Sequence, residues 1–398
     1  MTLRDDFVEK VKILFSFDGD VGIGVEEICG GLAKYMEKEF EPLAMEIFRE
    51  DRIPDELVRD YFRNGYADAS LPEDMGGGGL PYIYNTLQLF ITAQECASMG
   101  VIASVRNTAF QTVLMGEKEE LIEKYIMEAM KKGKYAAFAL TEANHGTDAT
   151  RTLDTKAIPD GKYYIIDGKK EFITNSDPDM TEFYVVFANV KDKGITPFVV
   201  DGHSKDISIV PYTKENGKLG LFGSQTAEVT FNEVRVPASN RLGEEGEGKK
   251  YILNLNTGRL DMATIAAAQA VSAQERAFSY SMEREQFGQP IGEFQAVKNL
   301  LASNQGEIEG MLGMIYEAAI TKDRRPEHFP KAAVLTKTHV TEKAIESISK
   351  VLQVHGATAF MEYKFNQPLR NVLALRYTEG ATFPLQDLAY RLIKKLKY

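Results

Sequence analysis

Four stretches of the chain carry residue types that could do chemistry. The first is Phe138-Ala139-Leu140-Thr141-Glu142-Ala143-Asn144-His145-Gly146-Thr147-Asp148, an apolar run that breaks into small and hydroxyl-bearing residues. Clustered N–H and O–H donors beside an apolar surface suit a flat heteroaromatic ring with polar edges, although a capped turn uses the same residues. The second is Gly168-Lys169-Lys170-Glu171-Phe172-Ile173-Thr174-Asn175-Ser176. Phe172 and Thr174, two residues apart, share one face of a strand, so a ring could stack on one and be hydrogen-bonded by the other. Core packing is the simpler account of that pair alone. The third is Arg284-Glu285-Gln286-Phe287-Gly288, followed by Gln295. An arginine and a glycine turn at a helix end can grip a phosphate. The fourth joins Gln353-Val354-His355-Gly356-Ala357 to Arg370 and then to Tyr377-Thr378-Glu379-Gly380. Glu379 falls in a loop beside a glycine that lets a ligand approach the backbone. Alone, it reads as a solvated loop glutamate.

Other chemistries fail for want of residues. The five histidines (His145, His203, His328, His339, His355) are scattered, with no His-x-x-x-His spacing, so no metal site is expected. No Gly-x-Ser-x-Gly occurs, and no nucleophile has an obvious histidine partner. The four glycines of Leu71–Leu80 lack a following Gly-Lys-Ser/Thr and a preceding buried strand, so they form a plain loop. No Gly-x-Gly-x-x-Gly follows a strand, which argues against a nicotinamide cofactor bound in that way. Cys29 and Cys96 are the only cysteines and imply a reduced setting without disulfides. The formal charge of −11 comes without any basic stripe, so nucleic acid is not an expected partner. A polyanionic small ligand remains open, because a few placed cations can hold it. No apolar run is long enough to span a membrane, and Met1–Asp6 lacks a basic leader region. A cytoplasmic protein is expected.

The elements that must position these stretches fall into three segments. Up to about residue 130 the period is helical, with Ile28, Leu32, Tyr35 and Met36 as one stripe and Leu121, Tyr125, Ile126 and Met130 as another. From about 135 to 240 it is two. Strands are expected at Thr152–Ile158, Tyr163–Ile166, Phe183–Ala188, Thr196–Val200, Ile207–Val210 and Ala227–Val236. From about 246 the helical period returns, in Arg259–Tyr280, Gln295–Tyr316, Ala332–His355 and Leu385–Leu396. The expected fold class is α+β: an N-terminal helical domain (1–133), a middle antiparallel β-barrel or sandwich (134–244) and a C-terminal four-helix bundle (245–398).

Taken in order, the motifs resemble the acyl-CoA dehydrogenase family over nearly the whole chain. They include Pro72-Glu73-Asp74-Met75-Gly76-Gly77, Leu140-Thr141-Glu142, Gly146-Thr147-Asp148, Gly168-Lys169 and Ile173-Thr174-Asn175. Further matches are Phe231–Pro237, Gly243–Gly248, Gly258-Arg259, Arg284-x-x-Phe287-Gly288, Phe294–Val297, Gln353-x-x-Gly356 and Glu379-Gly380. Each motif is modest; the shared order and spacing are specific.

The resemblance implies FAD between the β domain and the bundle. Phe138, Leu140 and Thr141 would border the flavin, and Phe172, Ile173 and Thr174 would cover its other edge. Arg284, Gln286, Phe287, Gln295, Gln353 and Gly356 would hold the FAD tail from a neighbouring subunit, which implies a homo-oligomer, usually a tetramer. Gly380 and Thr382 would complete the cofactor set, with Thr147 beside it on the pantetheine side. Glu379 would remove the α-proton of an acyl-CoA while a hydride leaves for flavin N5, and an electron-transfer flavoprotein would collect the electrons. Some members carry the base just before the arginine equivalent to Arg259. Here that position is Gly258, which leaves Glu379 as the base; Asn256, Thr257, Gly258, Arg259 and Gly380 would lie near the thioester. A flavin oxidase or monooxygenase, or a non-catalytic relative, is the competing reading. Departures from the family pattern are Phe172 for Trp, His145, Ala357, Asn371, Ala381, and one residue fewer between Gly248 and Arg259. Arg106 could read a substrate carboxylate, but a structural or surface role is the stronger expectation.

Overall fold

The computed structural model describes residues 29–397. Ile28 of the first stripe, and the whole leader region, lie outside them. In the described chain, helices precede a seven-stranded sheet and more helices follow it, so the change of period along the sequence is a change of layer.

The first layer includes α1 (Asp55–Arg63), α2 (Tyr82–Glu95) and α3 (Ala97–Leu114). The last two are apolar nearly all round and are buried accordingly. Between α1 and α2 runs the four-glycine loop. A side chain at Gly77 would meet the Leu71 carbonyl oxygen at 2.3 Å, and one at Gly78 would meet that of Ala69 at 2.7 Å. The glycines let the loop fold onto its own backbone. Arg106 of α3 is fully buried: it is paired with Asp68 at 2.6 Å, bonded to the Lys134 carbonyl and sandwiched between Phe62 and Phe110. Its role is structural.

The sheet comprises β1 (Tyr135–Ala139), β2 (Lys156–Asp160), β3 (Tyr163–Thr174), β4 (Thr181–Val190), β5 (Gly194–Asp201), β6 (Ile207–Pro211) and β7 (Thr226–Pro237). Its order is β1-β4-β2-β3-β7-β6, with β5 on β4. The purely antiparallel expectation is corrected: β1 runs parallel to β4, and β2 touches β4 in parallel at Lys156. Parallel pairing needs a long excursion between partners, which the loop from residue 140 to 155 together with β2 and β3 provides. That loop also delays β2, expected from Thr152. The backbone N–H groups of Asp154 and Thr155 are taken by the Glu142 carboxylate instead of a strand partner.

The last layer is built on α4 (Leu255–Glu283), whose alanines lie flush against α5 (Gln295–Arg324) and α6 (Phe329–Leu352). Then follow α7 (Tyr363–Leu375) and α8 (Thr382–Lys397). The core is continuous from α2 and α3 into α4, so the N-terminal segment of α4 that carries residues 256–262 is held on several sides by packed helices.

Candidate active site

Glu379 stands in the turn between α7 and α8 with φ 54°, a left-handed conformation unusual for a residue with a Cβ; Gly380 follows with φ 106°. Nine described non-glycine residues have positive φ, and five of them (Phe172, Asn175, Glu233, Phe287, Glu379) fall in the motifs singled out above. Backbone strain concentrates where function needs a set geometry, and these positions follow that rule.

The turn delivers the Glu379 side chain onto α4 at Gly258. An ideal Cβ built at Gly258 would lie 2.9 Å from Glu379 Cδ and 3.2 Å from Oε1. The glycine is therefore the seat of the carboxyl, and no other residue type fits there undisturbed. Arg259 Nε donates to the Glu379 carbonyl at 3.2 Å, and its Nη1 to Asn256 Oδ1 at 2.7 Å. Part of Glu379 still reaches solvent, yet protein atoms crowd its carboxyl. Burial pushes its pKa up to about 7; Arg259 and Lys337 oppose the rise and Asp261 adds to it. Among the described residues, none donates a hydrogen bond to the carboxyl. A crowded carboxylate with free lone pairs and a pKa near neutrality is equipped to take a proton at pH 7.

Behind it, Asp261 is buried and accepts bonds from the hydroxyls of Tyr82 and Ser104; burial raises its pKa to about 6. Lys322 lies over the Tyr82 ring and donates to Thr257 Oγ1 at 2.7 Å. Thr257 is thus engaged with α5.

The motifs expected on the flavin side also meet. Glu171 N donates to the Thr141 carbonyl at 2.8 Å, which joins the end of β1 to the bulge in β3. At that bulge Phe172 is 62% exposed and stacked on Tyr212 with centroids 5.2 Å apart. Thr174, half-buried, faces Thr226, while Ile173 is buried in the sheet core. Beneath them lies a pair the sequence reading missed. Lys170 and Glu142, both almost wholly buried, bond at 2.7 Å, and Lys170 also donates to the Leu140 carbonyl. Burial raises the Glu142 pKa, but Lys170 and the donors around it outweigh this and hold it below the usual carboxylate range. The signal was there: Tyr164, Ile166 and Lys170 share the inward parity of β3.

His145, a departure from the family pattern, faces Asp148 and Asp154 through its two ring nitrogens at 3.3 Å each. Ligand-type atoms of Glu142, His145 and Asp154 lie within 4.8 Å of one another. Glu142 already holds Lys170 and two backbone N–H groups, so the cluster is an ion-pair knot closing the loop. Thr147 is exposed on that loop.

The expected tail-binding residues sit apart from Glu379. Gln286, Phe287, Gln295, Gln353 and Gly356 are all exposed, Phe287 by 96%. Arg284 caps α4 at the far end from Gly258, roughly 39 Å away at the rise of an α-helix. The Thr382 hydroxyl is occupied by Glu342. A cleft of about 580 Å³ lined by Phe62, Met75, Met127 and Met130 includes none of the expected site residues.

The described chain thus holds a crowded carboxyl seated on a helix glycine and, at the bulge in β3, an exposed aromatic with hydroxyl-bearing neighbours. The chain belongs to the acyl-CoA dehydrogenase family, the FAD-dependent oxidoreductases acting on CH–CH bonds. Residues 25–132, 137–234 and 246–383 match that family's N-terminal, middle and C-terminal domains. Among curated proteins it is 31% identical to the 3-(aryl)acrylate reductase of Clostridium sporogenes, over 89% of this chain and 95% of that protein. It is 30% identical to the caffeyl-CoA reductase–Etf complex subunit CarC of Acetobacterium woodii, over 85% of this chain and 89% of that one. The structure of butyryl-CoA dehydrogenase from Megasphaera elsdenii superposes with a TM-score of 0.87 at 27% identity, covering 93% of this chain and 97% of the other. Among the described residues no helix is long and apolar enough to cross a membrane.

Proposed function

We propose that this protein oxidises an acyl-CoA thioester across Cα–Cβ, with Glu379 as the base that takes the α-proton. The observation that carries the reading is the seating of the Glu379 carboxyl on Gly258, with its pKa raised to about 7 by burial. The α-proton of a thioester is too weakly acidic for an ordinary solvated carboxylate. Burial strengthens the base, and the backbone N–H of Glu379 is available to the thioester carbonyl, where charge develops. Gly258 lies against the acceptor carboxyl; Asn256, Thr257, Gly258, Arg259 and Gly380 would shape the thioester subsite, and Thr147 would meet the pantetheine arm.

The residues present fit FAD. Exposed Phe172 with its stacked neighbour Tyr212 offers a surface for a planar ring, and Thr141 and Thr174 offer hydroxyls at its edge. Phe138 and Leu140 would supply the apolar side, while Ile173, buried in the sheet core, would back it from within. Bound FAD supplies the hydride acceptor. The expected tail-binding set is exposed, and its Arg284 caps the end of α4 far from Gly258, which supports its completing a neighbour's site rather than its own. Exposed Phe287, Phe360, Met361 and Phe383 add apolar area for such a contact. We place the subunit in a homo-oligomer, a dimer of dimers, and divide the chain at 133/134 and 244/245.

The relative named as part of an Etf complex supports an electron-transfer flavoprotein as redox partner. Both curated relatives described above are named for reductases, which favours a second reading in which the α,β-double bond is reduced: the flavin returns a hydride to one carbon and Glu379 a proton to the other. A group titrating near pH 7 serves either direction. Purified protein should be yellow. Anaerobic titration with straight, branched, cyclic and dicarboxylic acyl-CoAs, against the matching enoyl-CoAs with reduced enzyme, identifies substrate and direction. Protein that cannot take up FAD would sink the proposal.

A further inference from the structure

The turn that carries Glu379 is held from one side by a single element, α6. Lys337, fully buried there, donates from Nζ to the carbonyls of Arg376 and Gly380, each at 2.7 Å. These two carbonyls bracket the left-handed residue. One turn further along α6, Glu342 pairs with the Arg376 guanidinium and accepts the Thr382 hydroxyl at 2.7 Å, so it grips the same turn at both ends. From the opposite side Arg259 bonds the Glu379 carbonyl. A non-glycine residue at φ 54° persists only where its surroundings over-determine it, and these contacts do so. The arrangement is also electrostatic. The charged groups facing the Glu379 carboxyl are Arg259 and Asp261 from α4 and Lys337 from α6.

We propose that Lys337 is the positioning residue of the base: it ties the Glu379 turn shut through two backbone carbonyls and thereby fixes the carboxyl over Gly258. Glu342 is the second anchor of the same clamp. The inference rests on Glu379 being the base. It adds a residue that never touches substrate, on a helix that sequence spacing does not link to the turn. Burial lowers the Lys337 pKa to about 8, while Glu379 opposes that fall, so the two groups stabilise each other's charged forms.

The test compares wild-type, Lys337→Met and Glu342→Gln holoenzymes. Three quantities are measured: the rate of anaerobic flavin bleaching by butyryl-CoA from pH 5.5 to 9.5, the melting temperature, and hydrogen exchange of amides 376–382. In Lys337→Met we expect a loss of about 100-fold in rate, the scale of a 1 Å misplacement. Its rising limb should move up by about one pH unit, because a cation beside the carboxylate has gone. Amides 376–382 should exchange faster. Glu342→Gln should lose rate and exchange faster without moving the limb, since Lys337 keeps its charge. The clamp is overturned by a Lys337→Met enzyme whose rate and limb stay within about twofold of wild type. It is equally overturned by slow turnover with an unshifted limb and unchanged exchange, which marks a merely structural lysine. Should Lys337→Met fail to fold, Glu342→Gln decides, and wild-type rate and exchange in it refute the proposal. Wild-type flavin that stays unbleached by the whole acyl-CoA panel brings down the reading of the base, and the clamp with it.

Discussion

Replacing Gly258 with alanine separates the packing of the active site from its stability. The new Cβ would sit 2.9 Å from Glu379 Cδ and 3.2 Å from both Cγ and Oε1, where ordinary contact begins at 3.4 Å. The clashing atoms are the far end of a flexible side chain, so the fold survives while the carboxyl retreats by roughly 0.5–1 Å. A displacement of that size costs about 100-fold in the chemical step, or about 2.7 kcal/mol of barrier. Alanine meanwhile favours a helix interior over glycine by about 1 kcal/mol. The expected variant is therefore as stable as wild type or more so, retains its FAD, and bleaches about 100-fold more slowly under anaerobic acyl-CoA. Stopped-flow absorbance gives the rate, and differential scanning calorimetry gives the stability. Full-speed bleaching by Gly258→Ala would refute the account of Gly258 as the seat.

Three further outcomes follow from the same structure. The bleaching rate should rise with pH through about 7, because only ionised Glu379 accepts a proton. Folding stability should run the other way: the folded carboxyl holds its proton at higher pH than the unfolded one. Its contribution therefore falls from about pH 4.5 to 7 and is level above, as thermal melts of wild type against Glu379→Gln would show. Lys170→Met leaves Glu142 as a buried charge without its partner, at a cost of about 3–5 kcal/mol; urea titration should show it, with flavin affinity weakened as the loop from residue 140 loosens. Phe287→Asp, in an exposed turn, should leave the melt of the isolated subunit unchanged yet dissociate the oligomer and release FAD, which sedimentation and the flavin content of the dialysed protein would report.

Much of the architecture was legible because hydrophobic period is a local property. The shift from helical to alternating spacing near residue 135, and back near 246, follows the layers of the fold. What escaped was non-local. The parallel pairing of β1 with β4 depends on where the intervening loop and the β2–β3 hairpin return the chain, which no local pattern specifies. Helix α7 was missed because Pro368, an unusual residue for a helix interior, stands within it. Lys169 and Lys170 are the same residue type side by side, yet one is exposed and paired with Glu228 while the other is buried on Glu142; strand parity was the usable clue. Gly258 was informative as the absence of a carboxylate, and the geometry gives it a second meaning as the space the Glu379 carboxyl occupies. Lys337 and Glu342 lie about 40 residues before the turn they hold, beyond the reach of any spacing argument.

The central claim is that Glu379 takes the α-proton, and anaerobic titration of the Glu379→Gln holoenzyme tests it most directly. The substitution keeps the side chain's size and should spare FAD binding, so the protein should remain yellow. An acyl-CoA that bleaches the wild-type flavin should then bind to the variant without bleaching it. Bleaching of Glu379→Gln at the wild-type rate would show that another group takes the proton.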